Sequence, residues 1–276
     1  MKKIIGLLIL LIQFSCTKPP QDSVTFKIEY QPEKTYNQTV ERTTNTFIKY
    51  MGSQKSLQIL KKRGLQNPTI SNKKSQTQWV LKTGKLVDET DFPVTVEYVI
   101  TISNDGKKGI PVKANLSGKF LSDHVPVFEA IVSDGLDEKH KLALLQSLQN
   151  TFTQRSFPEN KVKIGEQFTI KNPSSIPMEG STVDMIVTTN YQLISISEGI
   201  AHFDISQQYT MNPKLADNSF KGSVSGKGHL VYDIANTIVL NYTLDTEMNI
   251  TKKLDSFDFE LKTISEIIQT TSISKD

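Results

Sequence analysis

Apolar and polar residues alternate along most of this chain. The alternation is most regular over residues 238–244 and 257–261, where every second residue is apolar. Successive side chains of a β-strand point to opposite faces, so a period of two indicates a strand with one buried face. The pattern predicts strands over residues 24–30, 36–50, 78–87, 94–103, 112–120, 125–132, 167–171, 183–196, 200–211, 219–234, 237–250 and 257–271.

One segment has a helical period instead. Leucines recur between Asp137 and Phe152 at spacings of three and four, and these are Leu142, Leu144, Leu145 and Leu148. Asp137 is a suitable N-cap, and Pro158 follows soon after the last apolar residue. We therefore predict a helix over residues 137–152 whose apolar stripe covers one face or the open end of a sheet. Residues 51–75 follow neither period, so we expect a long hairpin tip or a mobile insertion there.

These elements predict a mainly β fold. We expect a strongly curved antiparallel sheet, or two, arranged as a half-open barrel with the one helix as a cover. The spacing of Val94, Tyr98 and Gly106 recurs at 187, 191 and 199, where the residues are again Val, Tyr and Gly. Two explanations stay open: a duplication that gives two related lobes joined by the helix near residues 137–155, or convergence of simple hairpin patterns.

The N-terminus has the pattern of a secretory signal. Two lysines precede an apolar run over residues 4–12, which is followed by Gln13, Phe14, Ser15 and Cys16. A membrane-spanning helix needs roughly 20 apolar residues, so this run is too short to span a bilayer. The segment resembles a bacterial lipoprotein signal, which is cut between Ser15 and Cys16 and leaves Cys16 as a lipidated first residue. Gln13 departs from the branched apolar residue usual at its position, and an ordinary secretory signal is the alternative.

This pattern divides the chain into three parts. Residues 1–15 are the signal peptide, residues 16–23 are the lipidated cysteine and its tether, and residues 24–276 are a single β-rich domain. Cys16 is the only cysteine, so lipidation leaves no thiol for a disulfide, a metal or a nucleophile.

Composition narrows the choice of partners. The chain is 37 % apolar and 22 % charged, which is typical of a globular protein. Its formal charge of +3 falls to +1 without Lys2 and Lys3, so the charge does not favour nucleic acid as a partner. A local basic cluster remains, which either is a solvated loop face or contacts an anionic surface: Lys55, Lys61, Lys62, Arg63, Lys73 and Lys74.

The sequence contains no recognisable catalytic or metal-binding constellation. Its four histidines, at 124, 140, 202 and 229, lack the spacing of metal ligands. The segment 222–226 resembles the hydrolase pattern Gly-x-Ser-x-Gly but has Val224 where the nucleophile would stand. We therefore expect no enzyme, no metal and no cofactor.

Three glycines in one predicted strand stand out. Gly222, Gly226 and Gly228 are separated by even numbers of residues, so they share one face. Missing side chains either let a neighbouring backbone approach or leave room for a ligand. The sequence thus offers these glycines as a candidate ligand groove, with close packing as the alternative.

Several segments resemble an uncharacterised family of Bacteroidetes-type envelope lipoproteins. The resemblance covers most of the chain after residue 15, and the segments that carry it are residues 32–36, 116–120, 157–168, 191–199 and 226–233. All are hairpin and strand signatures, and the family has no assigned activity, so the resemblance implies an envelope location and no functional residue. The predicted architecture is also similar to the half-open barrels of periplasmic lipoprotein carriers, which enclose an apolar cavity; this is an analogy of fold.

These observations lead to two functional hypotheses for a protein held to the membrane by its N-terminal lipid. The first is non-catalytic binding of an apolar or amphipathic ligand, and the second is a structural or partner-binding scaffold of the envelope that uses exposed strand edges. An enzyme with an unrecognised site ranks third. Acidic residues after the lipidated cysteine are typical of surface export in such bacteria, and Thr17, Lys18 and Pro19 lack them. We therefore expect the protein in the outer membrane with its domain facing the periplasm.

Overall fold

The computed structural model describes residues 22–109, 111–121, 126–154, 159–178, 181–211, 220–253 and 257–275. The predicted signal peptide and cleavage site, including Ser15 and Cys16, lie outside these ranges. The described elements, in chain order, are β1 (Ser23–Phe26), β2 (Lys34–Gly52), α1 (Gln54–Lys62), β3 (Thr69–Thr83), β4 (Phe92–Asn104), β5 (Val112–Phe120), β6 (Pro126–Val132), α2 (Glu138–Gln154), β7 (Asn160–Lys163), β8 (Gln167–Met178), β9 (Ser181–Ser197), β10 (Ile200–Met211), β11 (Phe220–Asp233), β12 (Ile238–Lys253) and β13 (Phe257–Lys275).

One large antiparallel sheet dominates the fold. Its strand order is β6-β5-β4-β3-β2-β13-β12-β11-β10-β9-β8, and β6 and β8 are its two edges. Along the chain, β2 to β6 follow one another from the centre of the sheet to one edge. The strands β8 to β13 follow one another from the other edge back to the centre, where β13 pairs with β2. The prediction of a mainly β protein with an open, curved antiparallel sheet is confirmed.

Local irregularities help to curve the sheet. The register shifts between Ser117 and Gly118 in β5, between His202 and Phe203 in β10, and between Val231 and Tyr232 in β11. An extra residue on one side of a ladder bends the strand and increases its twist. These shifts lie in both halves of the sheet, so each half turns its inner face into a hollow.

Each hollow is covered by a separate element. The helix α2 covers the half that contains β4, β5 and β6, where Leu148 and Phe152 are 6 % and 5 % exposed. A short two-stranded sheet of β1 and β7 covers the other half. Phe26 of β1 is fully buried there, with its ring 5.2 Å from that of Phe203 and 4.7 Å from that of Tyr232. The inner face therefore holds two apolar clusters under two different covers.

The helix α2 begins as predicted. The side chain of Asp137 accepts a hydrogen bond from the backbone N–H of His140 at 2.9 Å, which is the N-cap geometry. Leu148 is buried on the sheet, but Leu142 is 64 % exposed, so its assignment to the buried stripe was wrong. Leu142 belongs to the first turn and a half of the helix, which extends past the apolar cluster. Pro158, the predicted stop, lies outside the described residues.

Two further elements differ from the sequence-based expectation. Residues 51–75 contain the helix α1 and the first half of β3 as well as the hairpin connection. The start of β3 is largely polar, and its strand form comes from pairing with β2 on one side and β4 on the other. The predicted strand 24–30 ends at Phe26, because β1 pairs only with the four residues of β7.

Candidate functional site

A cavity of about 320 Å³ lies on the inner face of the sheet between the two apolar clusters. Its base is formed by the central strands β2 and β13, whose ladder places Gln38 opposite Thr271 and Arg42 opposite Ile267. Even-numbered residues of β2 share the inner face, so Gln38, Val40 and Arg42 lie in a row along the cavity.

The walls of the cavity come from strands that are distant in the sheet. Asn172 of β8 and Arg42 of β2 both line it, although five strands separate them in the strand order. In a flat sheet six strand spacings would put them roughly 29 Å apart. The sheet must therefore curl until β8 faces β2, and the cavity occupies the space that this curl encloses.

The segment between β1 and β2 closes one end of the cavity. Ile28 and Tyr30 of this segment are lining residues. The segment is fixed to the β11–β12 turn, because the N–H of Glu29 donates to the carbonyl oxygen of Thr237 at 3.2 Å and the hydroxyl of Thr237 donates to the carbonyl of Glu29 at 3.1 Å. The ring of Tyr30 lies 4.9 Å from that of Tyr36, edge to face. These contacts attach this end of the cavity to the β11–β12 turn and to β2.

The lining is mostly apolar and aromatic with a few polar groups. The apolar and aromatic side chains are Ile28, Tyr30, Tyr36, Val40, Trp79, Tyr191, Leu230, Ile238, Val239, Tyr242 and Ile267. The polar ones are Gln38, Arg42, Asn172, Gln269 and Thr271. This composition is typical of small-molecule sites, in which a largely apolar surface carries a small number of placed polar groups.

The polar groups differ in how they are held. Gln38 and Thr271 are buried, and the amide nitrogen of Gln38 donates to the hydroxyl of Thr271 at 2.9 Å. Arg42, by contrast, is exposed. None of the described lining residues is an Asp or a Glu, so Arg42 is the only charged side chain among them.

The tyrosines around the cavity remain protonated well above neutral pH. Burial, with a smaller contribution from nearby Tyr242, raises the pKa of Tyr191 far above its ordinary value. Burial also raises the pKa of Tyr36 and of Tyr209, and the positive charge of Arg42 opposes the rise at Tyr209. These side chains can therefore donate or accept hydrogen bonds but are poorly suited to act as bases at neutral pH.

The three glycines of the predicted groove lie beside the cavity. Leu230 is two residues from Gly228 on the same face of β11 and lines the cavity, whereas none of the three glycines is a lining residue. A Cβ at Gly228 would lie 1.9 Å from the carbonyl oxygen of Thr243, and one at Gly222 would lie 2.4 Å from that of Asn249. At these two positions the glycines allow β11 to approach β12 closely, which is the packing interpretation.

The other candidate residues form no second site. Across the described residues, no group of three or more His, Cys, Asp or Glu side chains could hold a metal ion. His229 and Asp204 form an exposed pair with 2.7 Å between Nδ1 and Oδ1. The basic cluster lies on α1 and β3 and is exposed throughout. In the part of the chain that the structure describes, no helix has the length and apolar character to cross a bilayer.

Sequence reasoning missed the cavity residues. A signal for them existed in β2, where Tyr36, Gln38, Val40 and Arg42 combine aromatic, polar, aliphatic and charged side chains on one face. Because arginine is rarely buried, Arg42 two residues from Val40 indicates that this face of β2 reaches solvent at that point.

Comparisons with known proteins give little beyond the geometry. No model of a protein family matches the chain, and no curated protein matches it at a significant level.

Among solved structures, OccK7 (OpdD) of Pseudomonas aeruginosa is 5 % identical with a TM-score of 0.26, and the match covers 87 % of this chain and 99 % of that one. OpdQ of the same organism is 6 % identical with a TM-score of 0.22, and the match covers 87 % of this chain and 99 % of that one. The secretin InvG of the Salmonella SPI-1 type III secretion injectisome is 10 % identical with a TM-score of 0.18, over 90 % of this chain and 60 % of that one. Scores of this size do not establish a shared fold, so function is argued from the cavity.

Proposed function

We propose that this protein is a lipid-anchored component of the bacterial cell envelope that binds an apolar or amphipathic ligand without transforming it. The observation that carries the proposal is the cavity, because its volume of about 320 Å³ lies within the range of ligand sites, roughly 300–1,000 Å³. Its lining of aromatic and aliphatic side chains favours an apolar ligand, and the placed amides and the arginine favour one that also has a polar end.

The location rests on the N-terminal sequence. The short apolar run before Ser15 and Cys16 supports a lipidated Cys16, and Thr17, Lys18 and Pro19 directly after it have no acidic side chain. We place the protein in the outer membrane with its domain facing the periplasm. Cys16→Ser should abolish labelling by a clickable fatty acid and release the protein from membranes. Labelling and membrane association that persist in this variant would contradict the anchor.

A scaffold that acts through strand edges is less well supported. The edge β6 is covered by α2, because Gln149 accepts the N–H of Phe128 at 3.0 Å and donates to the carbonyl of Pro126 at 2.8 Å. The other edge, β8, contains Pro173 and Pro177, which have no backbone N–H to donate. Both features reduce the number of backbone groups that these two edges offer for strand addition.

The binding function can be tested with a cavity-filling variant. The chain 16–276 with Cys16→Ser contains every described residue and cannot be lipidated at that position. We expect it to raise the fluorescence of N-phenyl-1-naphthylamine, a neutral apolar probe. Val40→Trp should abolish this binding because the indole occupies the cavity. Thr39→Trp is the matched control, since Thr39 is nearly isosteric with valine and lies on the opposite face of β2. No binding by the parent, or equal binding by the Val40→Trp variant, would contradict the proposal.

A further inference from the structure

We propose that the ligand is a single-chain amphiphile with an anionic head, and that Arg42 binds this head at the open end of the cavity. The inference rests on the proposed binding function and adds the chemical class of the ligand. The head is a carboxylate or a phosphate, both of which accept hydrogen bonds from a guanidinium.

Arg42 lies at the exposed end of a row of β2 residues that line the cavity. It is the last of four such residues, after the buried Tyr36 and Gln38 and the half-buried Val40. Burial thus decreases along this row until the guanidinium is exposed. A ligand that follows the row would have its tail against Val40 and its head at Arg42.

Arg42 has no acidic neighbour among the described residues that line the cavity. None of the described cavity-lining residues has a carboxylate, and none of the described residues forms an ion pair with Arg42. The charge of Arg42 acts on Tyr209 of β10, where it partly opposes the rise in the pKa that burial causes. Since burial keeps that phenol protonated, Arg42 is not neutralised by it. A cation at the mouth of an apolar cavity selects for an anion attached to an apolar chain.

The cavity is small for a ligand site. A volume of about 320 Å³ is near the lower limit for ligand sites, which suits one chain better than a lipid with several. Asn172 on the opposite wall and Gln269 on the base are candidates to share the head group, because both line the cavity with Arg42.

The test compares ligands that share a chain and differ in the head. Decanoate, decyl phosphate and 1-decanol compete with N-phenyl-1-naphthylamine for the chain 16–276 carrying Cys16→Ser. We expect the better of the two anions to bind at least about tenfold more tightly than decanol, since hydrogen bonds to a charged partner are the strong ones. Arg42→Gln should remove this preference while decanol and the probe still bind. Which anion shows the larger preference identifies the head.

The control is Lys49→Gln, which makes the same change of charge on the same strand. Lys49 is exposed and, as an odd-numbered residue of β2, lies on the face away from the cavity. It should leave all three affinities unchanged. Failure of every ligand and of the probe to bind the parent would remove the proposed function itself. Equal binding of anions and alcohol by the parent, or an equal loss of preference with Lys49→Gln, would leave the binding function standing and overturn the role of Arg42.

Discussion

The glycines of β11 give a sharp test of how closely two central strands approach. Alanine at Gly228 would place its Cβ 1.9 Å from the carbonyl oxygen of Thr243 and 3.0 Å from the Cα of Leu244. Both neighbours are backbone atoms, which cannot move without moving β12. Alanine at Gly226 meets the methyl group of Thr246 first, at 3.1 Å. The two positions lie on one strand and one face, so the same substitution compares a backbone collision with a tight but adjustable contact.

The magnitude follows from this clearance. At Gly228 the strands would have to separate by roughly 1.5 Å to restore ordinary van der Waals contact. Overpacking of this kind costs about 1–3 kcal/mol, and the lower entropy of unfolded alanine returns about 0.4–1 kcal/mol. We therefore expect Gly228→Ala to lose about 1–2 kcal/mol of unfolding free energy, which lowers the melting temperature by about 2–8 °C in a chain of this size. Gly226→Ala should stay close to the parent.

Thermal unfolding followed by circular dichroism, together with binding of the neutral probe, separates the interpretations. If Gly228→Ala melts with the parent, or if Gly226→Ala loses as much stability, the close approach of β11 and β12 is not what these glycines provide. An unchanged melting temperature combined with lost probe binding would instead support the groove that the sequence suggested.

Two other predictions follow from burial. Leu148→Ala should lower the free energy of unfolding by about 2–5 kcal/mol, because Leu148 of α2 is 6 % exposed. Leu142→Ala should change it by less than about 0.5 kcal/mol, because Leu142 is 64 % exposed. Equal losses for the two variants in urea denaturation would refute the orientation of α2. Burial raises the pKa of Tyr232 from 10.0 to about 12, so its contribution to stability is complete below pH 10 and is lost as the pH rises to about 12. Tyr232→Phe should therefore make stability less sensitive to alkali over this interval, and the reasoning fails if parent and variant lose the same unfolding free energy.

The strands were predictable where one face is buried and the other is not. β5 and β10 begin and end at the predicted residues, because each combines regular alternation with a nearby turn signal. The helix α1 was missed because it has only nine residues, and its apolar residues Leu57, Ile59 and Leu60 lie within a single turn, which is too short to show a helical period. Its signals are local: the hydroxyl of Ser53 accepts the N–H of Ser56 at 3.2 Å, and Gly64 follows with a φ of +76°.

The cavity could not be predicted for a different reason. Alternation shows which residues of a strand share a face, but not which strands become neighbours. Gln38 is buried because Thr271, from the opposite end of the chain, accepts its amide. Arg42 and Asn172 line the same cavity because the sheet curls and brings β8 opposite β2. Both facts belong to the tertiary structure, so a sequence pattern can suggest an amphipathic site without locating it.

The pairing of β2 with β13 also determines the order in which the molecule can fold. This ladder runs from Lys34 to Gly52 on one strand and from Phe257 to Lys275 on the other, so the earliest long strand has the latest one as its neighbour. Hairpins such as β4–β5 can form as soon as their residues are available, but the centre of the sheet must wait for the final strand. Contacts so distant in sequence close late and slowly. Until β13 pairs with it, β2 has an open edge in the middle of the future sheet, and an open edge is a site at which another strand can add.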